Sequence, residues 1–507
     1  MRRVPLFALL AAHAAPSNSQ LGLRVAADGS GFTVDVGGAA WLRAAPTFLQ
    51  ANGAAHNSGL NSSSAGQARL ALTNFSSGAQ GADKLGDYTE HRWSWATEGS
   101  VGASVRLETA ARVYSAHPSI LWTQSFPDGV NSFGYGDAID LTMRKEPSWG
   151  TPGSGWPELS SSVEDLEYVT FLGDGDVQFG AGLGSSTAPV ERGAAVGYFN
   201  STGYTLVLSP ASSFLSTVIA KAGTDTIRCG VQGAALSLPS GHSTSFLMHA
   251  GPAVPDAFLS WGDQLLSMYD KPRPAPNSSV SLEYLGYSST AAYFYAHRKN
   301  ETYEETILAA KAYGEQMKIP YKWMLIDSWW YHERAVPGPQ DSGVCFPGFG
   351  GASWQWDSKP IPPAANCTGN FPSGWRGFAQ KLRLPMMMHI SEWTGSKVSG
   401  KSAAPNAYGA PPYSKVSPAD WIVEDACSIP QTFEFWDGIF GDMSFYGGKG
   451  GLAVYKQDHG GGEIVQLEAA QRNVSVMHNW LTPQAQAAEK HGVTKMLCGS
   501  ISSFWMQ

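Results

Sequence analysis

Charged side chains are scarce in this sequence. Asp, Glu, Lys and Arg make up 15% of its 507 residues, against roughly a quarter in ordinary globular chains. The net charge of −8 is mild for this length, and the chain carries no basic run and no basic amphipathic helix. That excludes the electrostatic footprint of a nucleic-acid-binding protein and of a protein held on an anionic membrane. No apolar run is long enough to span a bilayer. Cysteine is rare and odd in number, with Cys229, Cys345, Cys367, Cys427 and Cys498 only, so this is no small disulfide scaffold, and no C-x-x-C metal spacing occurs. Asp327, His389, Asp458 and His459 are of metal-ligand type, but neither H-E-x-x-H nor another tight ligand spacing accompanies them. No metal and no cofactor are therefore expected.

What is present begins with a leader. Met1-Arg-Arg precedes a short apolar run that ends at Ala12-His-Ala14, a charged n-region, apolar h-region and A-x-A site that predict a secretory signal peptide over residues 1–15. N-x-S/T sequons start at Asn61, Asn74, Asn200, Asn277, Asn300, Asn366 and Asn473. Together with the leader they predict a glycoprotein, secreted or in the lumen of the secretory pathway or a lysosome-like compartment. Cys345 and Cys367 flank one Gly/Pro/Trp-rich loop; an oxidising compartment would allow a disulfide there, and two unpaired thiols are the alternative.

Residues 16–252 read as all-β. Runs such as Phe32–Val36, Ser104–Glu108, Ile120–Gln124, Tyr204–Leu208 and Thr244–Met248 are separated by Gly/Ser/Asn turns, the pattern of an antiparallel β-sandwich. Phe179–Ser186 has a G-x-G-x-G look without a strand-to-helix context, and reads as a loop. Residues 253–279 hold a helix and a Pro-rich linker: Pro255 suits a first turn, Phe258, Trp261, Leu265, Leu266 and Tyr269 form an apolar stripe, and Lys271–Ser279 marks a domain boundary.

From residue 280 to 507 strands and helices alternate. Strands are expected at Leu282–Tyr287, Tyr321–Asp327, Leu384–Ile390, Leu452–Asp458 and Thr494–Cys498. Helices are expected at Tyr303–Lys318, Trp375–Leu382, Phe433–Phe445, Glu463–His478 and Pro483–His491. Alternation with few hairpin signals predicts a parallel α/β sheet, most simply a (β/α)8-type TIM barrel, with a doubly wound sheet as the structural alternative. Five strands before Gln507 are too few to close a barrel, so an incomplete one is expected, through a truncated gene product or an open fold.

In a parallel barrel the chemistry sits at the carboxyl ends of strands. Here those ends read Asp327-Ser-Trp329-Trp330, His389-Ile-Ser-Glu392-Trp393 and Lys456-Gln-Asp458-His459. Aromatic rings beside carboxylates predict a carbohydrate site, with an oligosaccharide or glycoconjugate as partner. Lys456 and Asp458, two apart on a strand, point to one face. A nearby cation favours an ionised carboxylate, as the nucleophile of a retaining glycosidase requires. A plain strand-end salt bridge explains the same spacing. The three glycines Gly460–Gly462 would let a ligand approach the backbone. Trp329, Trp330 and Trp393 are candidate stacking platforms for a sugar, with core packing as the alternative; His389 is a candidate sugar hydrogen-bonding group, with a satisfied core imidazole as the alternative; Glu392 is a candidate second carboxylate, with a solvated loop residue as the alternative.

From about residue 255 onward the chain resembles the α-galactosidase and raffinose-synthase-like glycoside hydrolases of clan D. Ile326-Asp-Ser-Trp329 looks like the acidic, Trp-containing end of that family's second strand, and Tyr455-Lys-Gln-Asp458 like its K-x-D motif. The resemblance implies a sandwich followed by a (β/α)8 barrel, with Asp458 as nucleophile, Lys456 on the sugar and Asp327 on substrate hydroxyls. It implies retaining cleavage of a terminal α-linked sugar, galactose first. An α-glucosidase-like or transglycosylating enzyme and a truncated carbohydrate-binding pseudoenzyme are the alternatives. Two departures stand out: Ile326 replaces the first of the family's paired aspartates, and the acid/base aspartate that follows the family's sixth strand has no counterpart among the five strands read here.

Overall fold

The computed structural model describes residues 21–61, 67–99, 102–136, 151–173, 176–183, 195–222, 225–276, 278–288, 301–327, 372–390, 421–424, 428–447, 451–458 and 467–498. The chain divides into two compact units between Arg273 and Pro274, inside the Pro-rich stretch.

The first unit is built on two sheets of six and twelve strands. In the smaller sheet Leu21–Val25, Phe32–Val36, Ala39–Ala44, Glu158–Ser161, Thr226–Val231 and Thr217–Lys221 lie side by side, and every pairing is antiparallel. Phe32–Val36 buries alternate residues, as a strand with one face on a core must. The buried face carries Phe32, whose ring lies 4.9 Å from that of Trp122 in the larger sheet. Trp93 and Trp156 meet in the same cluster at 4.8 Å. Large rings reaching between the two sheets fill the core, as in a β-sandwich.

The helix Val254–Met268 closes this unit, with Pro255 in its first turn. Ala257 packs on Ala195 and Val207, and Trp261, Leu265 and Met268 pack against Leu85, Tyr114, Leu121 and Leu247. The helix comes so close that a Cβ on Gly251 would stand 2.7 Å from the Ala257 Cα. Tyr269 departs from the expected stripe: it caps the helix and is half exposed, while its hydroxyl donates to the Ala211 carbonyl. The loop reading of Phe179–Ser186 is corrected for Phe179–Ala181, which form a ladder with Glu167–Val169. Small residues are no obstacle there, because Gly180 leaves room for the Tyr168 ring.

In the second unit a five-stranded sheet runs Gly286–Ser288, Trp323–Ile326, Met386–Ile390, Leu452–Gln457, Thr494–Leu497. All four pairings are parallel. Spatial order follows chain order, so the reversal that defines a doubly wound sheet is missing among the described strands. Several expected elements shift. Leu282 lies in a short helix, Val280–Glu283, and the strand begins at Gly286; Leu282 is 81% exposed and has no core to join. The expected helices at Glu463–His478 and Pro483–His491 become Glu468–Arg472 and one helix, Val476–His491, with Pro483 inside it. Trp480, Leu481, Gln484, Ala487 and Ala488 are buried on either side of the proline, and that packing outweighs the roughly 3 kcal/mol helix penalty of proline. A hairpin, Trp421–Val423 with Ser428–Pro430, was not expected.

Candidate active site at the strand ends

Strand parity and register assemble the site. Leu325 pairs with Met387, and Met387 with Val454; these three side chains form one buried cluster on one sheet face. Two residues on, side chains return to that face. Those positions are Asp327, His389 and Lys456, and His389 is paired with Lys456 directly. One polar row thus caps an apolar layer at the carboxyl ends of three adjacent strands. Asp458 stands two residues beyond Lys456.

All four groups are largely withdrawn from solvent. Asp327 is 1% exposed, His389 4% and Lys456 6%, while the Asp458 side chain keeps 16%. His389 Nε2 lies 3.1 Å from Asp458 Oδ2, and Lys456 Nζ approaches the same oxygen at 3.5 Å. On its other side His389 turns Nδ1 toward Asp327 Oδ1 at 3.9 Å, beyond hydrogen-bond length. Two carboxylates, an imidazole and an ammonium therefore share one cluster, and such groups are held in low-dielectric surroundings only when they pair.

The opposite face of the fourth strand supports this cluster. Tyr455 packs between Trp436 and Phe440 of the helix Phe433–Gly447, with ring centroids 5.9 and 5.2 Å away. Its hydroxyl donates to the Gln457 carboxamide oxygen at 3.0 Å, and the Gln457 amide nitrogen donates to the Asp458 carbonyl at 3.1 Å. Gln457 is fully buried and grips the backbone of Asp458 from behind. Locally it is only a buried-strand glutamine next to an aspartate. At the next strand the Cys498 amide donates to the Gln457 carbonyl at 2.8 Å, which extends the ladder and sets Cys498 beside Asp458. Cys229 is a free, buried thiol, and Cys498 is half-buried.

After Asp458 the chain is next described at Leu467. There Glu424, from the hairpin, accepts the Glu468 and Ala469 amides at 2.5 and 2.7 Å and so pins the start of the following helix. Trp329, Trp330, Glu392, Trp393, His459, Cys345, Cys367, Asn277, Asn300, Asn366 and the leader lie outside the described residues. Of the other sequon asparagines, Asn61, Asn74 and Asn473 are exposed and Asn200 is half-buried. No group of three or more His, Cys, Asp or Glu side chains among the described residues could hold a metal ion, and no helix among them is long and apolar enough to cross a membrane.

No family model and no curated protein matches the chain. Solved structures do. The α-N-acetylgalactosaminidase NagBb from Bifidobacterium bifidum, in its GalNAc complex, superposes with a TM-score of 0.53 at 11% identity over 94% of this chain and 75% of that one. Its Gal-NHAc-DNJ complex gives 0.53 at 12% identity, with the same coverage. A glycoside hydrolase family 97 enzyme from Pseudoalteromonas sp. strain K8 matches at 0.46 and 10% identity, over 95% of this chain and 67% of that one. The chain shares the fold of a glycoside hydrolase.

Proposed function

We propose that this protein is a retaining α-glycosidase of the clan D type, acting on a terminal α-linked, galacto-configured sugar of an oligosaccharide or glycoconjugate. One observation carries the reading: Asp327 on one side and Lys456 and Asp458 on the other flank the His389 strand at the carboxyl ends of parallel strands, where barrel enzymes place their chemistry. The unbroken strand order supports a segment of a (β/α)8 barrel, and the fold shared with an α-N-acetylgalactosaminidase supports the substrate class.

In this reading the Asp458 carboxylate attacks the anomeric carbon. The glycosidic C–O bond breaks, the leaving oxygen takes up a proton from a general acid or from water, and a glycosyl-enzyme forms that water then hydrolyses with net retention. Lys456 stabilises the carboxylate before attack and contacts a sugar hydroxyl. Asp327 accepts hydroxyl hydrogen bonds, and Trp329, Trp330 and Trp393 supply apolar faces for the ring. The leader and sequons support a secreted glycoprotein, which intact-mass measurement before and after N-glycosidase treatment checks.

Glycosyl fluorides test the activity without needing an acid, because fluoride leaves unprotonated. α-Galactosyl fluoride should release fluoride and give α-galactose first, seen by NMR before mutarotation. Turnover of α-glucosyl fluoride alone would move the enzyme to the α-glucosidase class. No release from galactosyl, N-acetylgalactosaminyl or glucosyl fluoride would refute the proposal.

A further inference from the structure

We propose that His389 is the positioning residue of Asp458, holding its Oδ2 through Nε2–H, and is not a sugar ligand. This rests on the reading of Asp458 as nucleophile. The terminal torsion of an aspartate is soft and roughly two-fold, so a carboxylate at a strand end does not by itself keep one oxygen turned toward a reacting carbon. Asp458 also sits one residue past the last paired position of its strand. Something outside its own backbone must fix the plane of the carboxylate.

The structure supplies that restraint across strands. A carboxylate only accepts hydrogen bonds, so the 3.1 Å contact requires the proton on His389 Nε2. Nδ1, 3.9 Å from Asp327, makes no comparable bond to that carboxylate, so one imidazole nitrogen does the holding and its identity is defined. Lys456 reaches the same Oδ2 from the strand of Asp458 itself. A neighbour on the third strand and a neighbour on the fourth thus converge on a single oxygen. The imidazole sits in the row above the Leu325, Met387 and Val454 layer, a place from which a ring can brace Asp458, and its Nε2 donor is already engaged by that carboxylate. The titratable and charged groups that face it among the described residues are Asp327 from the second strand and Lys456 and Asp458 from the fourth.

The two amide replacements of histidine separate the nitrogens. Gln places its amide nitrogen where Nε2 stands, and Asn places it where Nδ1 stands. In the full chain, His389→Gln should keep kcat on α-galactosyl fluoride within about tenfold. His389→Asn should lower it about a hundredfold, the scale of a misplacement of roughly 1 Å at a reacting group. KM, and the calorimetric Kd for a galacto-configured iminosugar, should stay within about twofold in both. A raised Kd with unchanged kcat would make His389 a sugar ligand and overturn the proposal; so would equal loss of kcat in the folded Gln and Asn variants. A further readout does not depend on turnover. Long-range proton–nitrogen NMR of the wild-type chain should show His389 protonated at Nε2, with that signal shifted in Asp458→Asn. If no glycosyl fluoride is turned over and no iminosugar binds, the proposed activity fails while this spectrum still decides the contact. An Nδ1–H tautomer, or a signal indifferent to Asp458→Asn, would overturn it.

Discussion

Replacing Lys456 by Met removes the ammonium and keeps most of the buried stem, so the test isolates charge from packing. At 3.5 Å from Asp458 Oδ2, the gross attraction is about 5 kcal/mol at an effective dielectric of about 20. Three features reduce it. Asp458 keeps 16% of its side-chain surface, His389 still donates to the same oxygen, and Lys456 no longer has to be desolvated. A net destabilisation of about 2 kcal/mol follows, below the roughly 3–5 kcal/mol of fully buried pairs. In a unit of this size that is roughly 4–8 °C in the melting transition that contains this sheet. Asp458→Asn should also destabilise, by leaving Lys456 without its carboxylate. The double variant loses both charges together and should melt above the sum of the single losses, with a coupling of about 1–3 kcal/mol. Scanning calorimetry of the four proteins gives that number. A coupling below about 0.3 kcal/mol would show that the two groups are near without interacting, and the electrostatic account of Asp458 would fall.

Three further outcomes are expected. His249 bridges Ser119 at Nδ1 and Ser260 at Nε2, each at 2.7 Å, and burial, with a smaller push from His117, lowers it from 6.5 to about 4. A base with a depressed folded value stabilises fully above its unfolded value and loses that contribution as pH falls. The first unit should therefore lose about 3 kcal/mol between pH 6.5 and 4, and His249→Gln should flatten that slope in denaturation midpoints. Glu304 is the opposite case: burial works against its charge, but Lys381 and Ser373 more than offset it and hold it below 4.5. Its stabilisation should be present above pH 4.5 and fade as pH falls below it, and Glu304→Gln should remove that acid-side loss. Glu424→Ala removes the acceptor of two helix-start amides, at about 1 kcal/mol, and hydrogen exchange at residues 468 and 469 should accelerate about fivefold to tenfold.

Local rules carried some parts of this molecule and not others. Turn-punctuated runs marked the antiparallel strands of the first unit, whether one face is buried, as in Phe32–Val36, or both, as in Thr205–Pro210. Parity put Lys456 and Asp458 on one face, and they lie 3.5 Å apart. The contact between His389 and Asp458 spans 69 positions and depends on the register of two parallel strands, which no local pattern encodes. Gln457 was invisible for a related reason: it faces the helices, and only the fold shows that its carboxamide reaches the Asp458 carbonyl. Pro483 misled because propensity is local while the burial of Trp480 and Leu481 is tertiary. The short helix before Gly286 was missed because exposed apolar residues such as Leu282 look like a strand without forming one.

The central claim is that Asp458 forms the covalent glycosyl-enzyme. A mechanism-based fluorinated α-galactosyl fluoride should trap that intermediate, and peptide mass spectrometry should place a single glycosyl label on Asp458. Asp458→Asn, nearly isosteric, should stay folded, take no label and lose several orders of magnitude in turnover, as removal of a covalent nucleophile does. A label on another carboxylate, or normal turnover in Asp458→Asn, would contradict the account and leave Lys456 and Asp458 as a structural ion pair.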